Sequence, residues 1–117
     1  MTIRMVNFHE HKLWQEAFVG LMDIHEALDE METTPPDADV AHELIKSAEH
    51  VAATIADGLT RRDQRRGREL IENAVGEVAK TRTHLAIAWG RGLLEDEIFK
   101  KLDGQYDRLS SSLQTFR

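Results

Sequence analysis

The sequence predicts an all-α fold, an up-down-up-down antiparallel four-helix bundle that forms a single domain over residues 1–117. Three observations support this fold class. Apolar residues recur at helical spacing in four segments, three breaks separate these segments, and no stretch shows the alternation typical of a strand. Because the breaks are short, consecutive helices are expected to pack antiparallel to each other.

The first predicted helix runs from about Phe8 to Met31. Its apolar residues alternate steps of three and four, as in the seam of a helical bundle. They are Trp14, Ala17, Leu21, Ile24, Leu28 and Met31. Phe18 and Met22 add a strip beside Trp14, so the apolar arc spans roughly 200°, twice what one buried face needs. We therefore expect Trp14, Phe18 and Met22 to cover an oligomer interface.

A break at residues 32–37, ETTPPD, separates the first helix from the second. Pro35 cannot continue a helix, and Pro36 biases its predecessor toward extended geometry. The second predicted helix, about Ala38 to Asp57, has an alanine-rich face that allows close packing. Its apolar residues are Val40, Ala41, Leu44, Ala48, Val51, Ala52 and Ile55. Gly58 is expected to end it with a positive φ.

The third predicted helix runs from about Arg61 to Trp89. Thr60 and Asp63 resemble a capping box at its start, and Gly90 and Gly92 mark its end. Its predicted inward residues are Leu70, Ile71, Ala74, Val78, Leu85 and Trp89. A glycine within a helix costs about 1 kcal/mol relative to alanine, so a neighbour is expected to pack closely on Gly76.

The fourth predicted helix runs from about Leu94 to Thr115. Three acidic residues lie at its start, where the helix dipole favours negative charge. They are Glu95, Asp96 and Glu97. The residues that this helix is predicted to bury are Ile98, Leu102, Tyr106, Leu109 and Leu113.

The chain has a formal net charge of −6, yet its arginines concentrate just after Gly58. The cluster consists of Arg61, Arg62, Arg65, Arg66 and Arg68. One interpretation is ion pairing, within or between subunits, with the acidic residues Glu26, Asp29, Glu30, Glu32, Asp37, Asp39 and Glu43. The other is a nucleic-acid or anion site, because guanidinium groups and free N–H groups at a helix N-terminus suit phosphate oxygens. We favour ion pairing, because a run of exposed charged residues is usually a solvated surface with no specific binding role.

No catalytic or metal-binding pattern is found in the sequence. The chain has no cysteine and no Glu-x-x-His motif, which a ferritin-like metal site requires. The six histidines are scattered, and His25, within the apolar arc of the first helix, is interpreted as a partly buried packing residue. Ser110, Ser111 and Ser112 have no neighbouring base. We predict no metal, no cofactor and no enzymatic activity.

The sequence also favours a soluble, cytoplasmic protein. Its N-terminal stretch has no apolar run before its charges, and no segment reaches the roughly 20 apolar residues of a membrane span. The lack of cysteine suits a reducing compartment. We therefore expect no membrane partner.

Three sequence elements resemble those of a known family. Its opening leucine and hydrophobic-aromatic-Gln-x-Ala signature match Leu13, Trp14, Gln15 and Ala17. Its central Asn-Ile-Ala-Glu-Gly is similar to Thr54, Ile55, Ala56, Asp57 and Gly58. Its arginine, capping hydroxyl and Ala-x-Gly-Ser element resemble Arg61, Thr60 and the run Ala74, Gly76 and Glu77. The chain departs from the family pattern at three positions, where Asn, Glu and Ser are replaced by Thr54, Asp57 and Glu77.

On these elements the chain resembles the four-helix-bundle proteins encoded in intervening sequences of bacterial 23S ribosomal RNA genes. The resemblance implies a left-handed antiparallel bundle that assembles into a five-fold ring, a homopentamer, with no established enzymatic activity. The accessory variability determinant of diversity-generating retroelements is similar to this family. It is a pentamer whose basic surface binds nucleic acid and assists a reverse transcriptase.

Two functions follow as expectations. The first is a non-enzymatic homo-oligomeric assembly or interaction module. The alternative is an accessory protein that binds RNA, DNA or a nucleic-acid enzyme through the arginine cluster, for example beside a retroelement reverse transcriptase. Net negative charge disfavours the alternative, because nucleic-acid binding rests largely on neutralising phosphates.

Overall fold

The computed structural model of the chain describes residues 7–31 and 35–116. A short 3₁₀ turn, Phe8–Glu10, precedes four α-helices: α1 (Lys12–Asp29), α2 (Pro35–Thr60), α3 (Gln64–Gly90) and α4 (Asp96–Gln114). The described residues contain no strand, which confirms the predicted all-α class. None of these helices has both the length and the apolar character that crossing a membrane requires.

The helices form an antiparallel bundle in which each packs against the next in the chain and α4 packs back on α1. The longest interface joins α2 and α3. Along it Ser47 meets Thr81, and Thr54 meets Glu77, so residue numbers rise on one helix while they fall on the other. This arrangement confirms the predicted four-helix bundle.

The buried core contains most of the predicted inward residues. All four helices contribute to it, and their most completely buried apolar residues are Ala17, Ile24, Leu44, Ala48, Val51, Ile55, Ala74, Val78, Leu85, Ala88, Leu102, Tyr106 and Leu109. Trp14, Val40, Ala41 and Ile98 are partly buried against this core. The hydrophobic periodicity therefore located the faces that hold the bundle together.

The predicted helix from Phe8 to Met31 is interrupted at His11. The backbone of His11 is extended, and its ring nitrogen Nδ1 accepts a hydrogen bond from the N–H of Leu13 at 3.1 Å. This bond satisfies one of the unpaired N–H groups at the start of α1. The helix therefore begins at Lys12, and the preceding 3₁₀ turn is a separate element.

Helix α2 extends beyond both of its predicted ends. It begins at Pro35 rather than Ala38, while residues 32–34 of the expected break lie outside the described residues. Proline suits the first turn of a helix, where N–H groups have no intrahelical partner. The prediction that Gly58 ends the helix is wrong, because Gly58 lies inside α2. Among the described residues only Gly92 has a positive φ, at 80°.

Asp63, rather than Thr60, caps the start of α3. Its Oδ1 accepts hydrogen bonds from the N–H groups of Arg65 at 3.0 Å and Arg66 at 3.4 Å. The hydroxyl of Thr60 instead donates to a carbonyl one turn earlier in α2, at 2.9 Å. The third helix consequently starts at Gln64, later than predicted.

The glycine-rich end predicted for the third helix is confirmed. The N–H of Gly92 donates to the carbonyl of Trp89 at 3.0 Å, and the N–H of Leu93 donates to that of Ala88 at 2.9 Å. Together with the positive φ of Gly92, these bonds form a Schellman motif. The motif reverses the chain and buries Leu93.

The inward position predicted for Trp89 is wrong. Its side chain is 44% exposed, and its ring stacks on Phe99 with centroids 4.8 Å apart. Its indole N–H donates to Asp96 at 2.7 Å. An indole N–H needs a polar partner, and Asp96 supplies it. Asp96 is also the first residue of α4, which begins two residues later than the predicted start at Leu94.

Candidate functional site at the arginine end

The arginine cluster lies at one end of the bundle, where α2 connects to α3. All five of its side chains are exposed: Arg61, Arg62, Arg65, Arg66 and Arg68. The end of α4 is nearby, because Phe116 lines a depression together with Arg61 and Arg68. The start of α1 joins them through a ring contact between His11 and Phe116, with centroids 5.6 Å apart. We call this region the arginine end.

Three of the five arginines pair with acidic residues three or four positions away in the sequence. Arg61 donates two hydrogen bonds to Asp57, at 2.8 and 3.2 Å. This contact lowers the pKa of the Asp57 carboxyl and raises the pKa of the Arg61 guanidinium. Arg66 lies 3.2 Å and Arg65 lies 3.8 Å from Glu69. These exposed pairs set local geometry and add little stability.

The predicted pairing of the arginines with the acidic residues Glu26–Glu43 is wrong within one chain. Those residues lie where α1 ends and α2 begins, at the opposite end of a helix about 40 Å long. Asp37 there bonds to Arg91 at 3.0 Å. Glu32 lies outside the described residues, and pairing between subunits stays a prediction. Among the described residues, Arg62 and Arg68 form no ion pair.

The N-terminus of α3 is less available to an anion than the sequence suggests. Two of its N–H groups, those of Arg65 and Arg66, already donate to the carboxylate of Asp63. A phosphate at this position would have to displace that carboxylate and overcome its negative charge. The cluster therefore offers guanidinium groups, whereas the helix terminus itself is occupied.

Two glycines beside the cluster bring α2 and α3 into close contact. A Cβ added to Gly67 would lie 2.8 Å from the carbonyl oxygen of Gly58. Gly76 behaves differently, because a Cβ there would meet no atom within 4 Å. The close neighbour expected for Gly76 is therefore not found among the described residues. Gly67, for which no close neighbour was predicted, has one instead.

A row of polar contacts continues along the same helix pair. The hydroxyls of Ser47 and Thr81 are hydrogen bonded at 2.8 Å, and the hydroxyl of Thr54 donates to Oε1 of Glu77 at 3.0 Å. Nε2 of His50 lies 3.7 Å from the same carboxylate oxygen. Oε2 of Glu77 is buried without a partner among the described residues. Thr54 and Glu77, two departures from the family pattern, thus contact each other.

The predicted interface residues Trp14, Phe18 and Met22 lie together on α1 and form what we call the aromatic strip, in which Trp14 is partly buried. Phe18 and Met22 are each 40% exposed. The ring of Trp14 stacks on Phe18 with centroids 4.9 Å apart, and Phe8 contacts Trp14 edge-on at 5.5 Å. The strip therefore presents several large apolar groups to solvent at one place.

Other candidates from the sequence fall outside these surfaces. In residues 7–31 and 35–116 no three His, Cys, Asp or Glu side chains are grouped as a metal site requires. His25 is partly buried, as predicted. Ser110 and Ser112 are partly buried and Ser111 is exposed on α4.

The fold and these surfaces define a class, a four-helix-bundle protein with an exposed aromatic strip and an arginine-rich end. The family model for the 23S rRNA-intervening sequence protein matches residues 9–115. The chain therefore belongs to the 23S rRNA-intervening sequence protein family, as the sequence motifs predicted. A search of curated proteins finds no match to the chain.

Proposed function

We propose that the chain is a non-enzymatic, cytoplasmic module that assembles with copies of itself through the aromatic strip. The observation that carries the proposal is the exposure of Phe18 and Met22 beside the stacked ring of Trp14. Monomeric proteins seldom expose large apolar groups together, because covering them removes unfavourable contact with water. The absence of cysteine supports a cytoplasmic location, because the cytoplasm is a reducing compartment in which disulfides are rare.

The assembly is proposed to be a pentamer. The support is the family, whose resemblance implies five-fold rings, together with the preference of homo-oligomers for closed symmetry. In a ring, the aromatic strip of one copy contacts a different surface of the next copy. Each copy then contacts one neighbour through its aromatic strip and the other neighbour through the surface that receives a strip. The closed ring leaves no strip exposed.

Two matched variants test the strip by light scattering. Phe18→Glu places a charge in the strip and is expected to reduce the mass to that of one chain. Val19→Glu places the same charge on the neighbouring residue, which is 50% exposed and outside the strip, and should leave the mass unchanged. Helicity by circular dichroism should persist in both. Equal masses for both variants and the wild type would remove the strip as the interface.

The second candidate function is a nucleic-acid-binding accessory protein, for example one that assists a retroelement reverse transcriptase. The observation that favours it is that all five arginines are exposed, with Arg62 and Arg68 free of ion pairs among the described residues. Symmetry would repeat this patch around a ring, and the combined field would attract phosphates despite the net charge of −6.

An electrophoretic shift with single-stranded and duplex probes at low salt tests this candidate. Binding should weaken steeply as salt rises, because each neutralised phosphate releases counterions. The double variant Arg62→Ala with Arg65→Ala should flatten that salt dependence and leave the assembly mass unchanged. No shift with either probe, or a loss of assembly in the variant, would instead leave the arginines as ion-pair partners between subunits. A reverse transcriptase gene beside this one would support the accessory role.

A further inference from the structure

The outward side of α3 carries an exposed face without charge. Ala79, Thr83 and Ala86 follow one another at steps of four and three, so they lie on one side of the helix, and all three are exposed. Ile87, one turn after Thr83, is 44% exposed beside them. The hydroxyl of Thr83 donates to the carbonyl of Ala79 at 2.9 Å, so its one polar group is satisfied within the helix. These four residues, which we call the α3 face, offer an apolar surface where an exposed helix normally carries charges.

The α3 face and the aromatic strip lie on helices at opposite corners of the bundle. Among the described residues, α1 and α3 each pack on α2 and α4 but do not contact each other. A head-to-tail assembly needs two different surfaces on every copy, whereas a two-fold contact uses one surface twice. Two exposed apolar surfaces on opposite corners therefore suit a head-to-tail contact.

Hydrogen bonds to α4 show which parts of α1 and α3 lie at the same height along the bundle. Gln105 of α4 donates to Asp23 of α1 at 2.8 Å. Arg82 of α3 reaches the same part of α4, because it donates to Asp103 at 2.8 Å and to Asp107 at 3.1 Å. Asp23 and Arg82 are therefore level with each other. Both helices begin at the arginine end, so they run in the same direction.

The aromatic strip and the α3 face overlap in height. Phe18 and Met22 lie about 7.5 and 1.5 Å from the level of Asp23 toward the arginine end, given the rise of a helix. Ala79 lies about 4.5 Å from the level of Arg82 in the same direction, which is between the two strip residues. Rotation about a ring axis leaves height along that axis unchanged. Copies that stand side by side in the same direction therefore bring these residues together.

The exposed aromatic residue Trp89 is a poorer match for the strip. It lies about 10 Å beyond the level of Arg82, away from the strip. Its ring already stacks on Phe99, and its indole N–H is bonded to Asp96. Height and free surface thus both favour the α3 face.

The edges of the two surfaces carry opposite charges. Lys80, next to Ala79, is exposed, and so is Glu26, one turn after Met22. Neither side chain forms an ion pair among the described residues. Opposite charges at the rim favour contact between the strip and the α3 face, whereas strip against strip brings like charges to the rim.

We infer that the aromatic strip of one copy packs on the α3 face of the next copy, with Phe18 and Met22 on either side of Ala79. Aromatic residues and methionine are enriched in interface cores, and small side chains opposite them allow the two helices to approach. This inference rests on the self-assembly proposed above and names the surface that receives the strip. It requires no particular number of copies.

Ala79→Glu places a charge in the α3 face and leaves the strip intact. It should reduce the mass by light scattering from that of the assembly to that of one chain, because the contact would bury an unpaired carboxylate. Ser111→Glu adds the same charge at an exposed position of α4, outside both surfaces, and should leave the mass unchanged. Circular dichroism should show both variants to be as helical as the wild type. An unchanged mass for Ala79→Glu would overturn the inference.

Cross-linking between introduced cysteines then identifies which surfaces meet. The chain has no cysteine, so each introduced thiol reports one position. The double variant Met22→Cys with Ala79→Cys, treated with a short bis-maleimide, should give a ladder of covalently joined chains on a denaturing gel, because each copy is joined to two neighbours. Each single variant should remain at the mass of one chain. Met22→Cys with Ser111→Cys is the matched control and should give no ladder.

Other contacts give other patterns. Joined pairs from Met22→Cys alone would show strip against strip, and joined pairs from Ala79→Cys alone would show the α3 face against itself. A double variant that is assembled by light scattering but gives no ladder would show that the strip packs on another surface. Each of these results overturns the inference and leaves self-assembly intact. A wild-type mass of one chain would instead overturn the proposed function, and this inference with it.

Discussion

A methyl group on Gly67 would lie 2.8 Å from the main-chain carbonyl oxygen of Gly58. The reverse position is also crowded, because a Cβ on Gly58 would lie 3.0 Å from the side chain of Ile71. Helices α2 and α3 therefore touch backbone to backbone where the chain turns between them. Their short link, residues 61–63, and the depression that both glycines line lie beside this contact.

Gly67→Ala should lower the free energy of unfolding by about 1–3 kcal/mol, the usual cost of overpacking. The added carbon meets a backbone carbonyl, which cannot rotate away as a side chain could. Urea denaturation followed by circular dichroism measures the change. An unchanged or raised stability would show that the two helices separate at little cost.

Gly76→Ala is the matched control, because it makes the same substitution in the same helix at a position where no described residue lies within 4 Å of the added Cβ. The free energy of unfolding should rise by about 1 kcal/mol, the difference in helix propensity. The two glycine variants thus shift stability in opposite directions. A drop in assembly mass for Gly76→Ala would instead place Gly76 in a contact between copies.

Thr54 and Glu77 should behave as a coupled pair. Thr54→Val is expected to lower the free energy of unfolding by about 1–3 kcal/mol, because it leaves the partly buried carboxylate of Glu77 without its hydrogen-bond donor. Adding Glu77→Met removes the carboxylate as well, so the double variant should lose less than the sum of the single changes. Thr83→Val is the control, since its exposed hydroxyl bonds only to a carbonyl of its own helix. Additive effects would show that the two residues are not coupled.

Tyr106 should make stability fall at high pH. Its hydroxyl is buried beneath Gly20 without a partner among the described residues, and burial, assisted by the charge of Asp23, raises its pKa. The unfolded chain releases this proton near pH 10.0, whereas the folded chain retains it. The contribution of Tyr106 is therefore complete below about pH 10 and declines as the pH rises further.

Tyr106→Phe provides the comparison for that pH dependence. The variant should lose less stability than the wild type between pH 9 and about pH 11, because phenylalanine has no proton to release. The two proteins differ in this hydroxyl alone, so the difference between their pH dependences isolates it. Since Tyr106 is the one tyrosine in the sequence, tyrosinate absorbance reports it alone. Parallel stability curves would contradict the burial of its hydroxyl.

Periodicity predicted the four helices because core residues such as Ile24 and Leu85 recur on one face of each. It misjudged glycines, since the same residue type ends a helix at Gly92 and permits a close contact at Gly58. What distinguishes these positions is Gly67, which reaches Gly58 from another helix. Such a contact is tertiary, so local sequence rules do not contain it.

The sequence predicted where the arginine cluster lies but not which acidic residues its arginines contact. Asp57 is four residues from Arg61, a spacing that helix geometry could have identified as a pair. The depression at this end had no such signal, because it arises where Leu59 of α2, Arg68 of α3 and Phe116 meet. The exposure of Phe18 followed from an apolar arc too wide for one buried face.

Self-assembly is the central claim, and sedimentation equilibrium of the unmodified chain at micromolar concentration tests it most directly. If a second copy covers the aromatic strip, the mass should be at least twice the 13.4 kDa of one chain, and the proposed ring of five predicts five times that mass. The mass should stay constant on moderate dilution, because a closed ring has no free strip at which to gain or lose copies. A mass near 13.4 kDa at these concentrations would contradict the account.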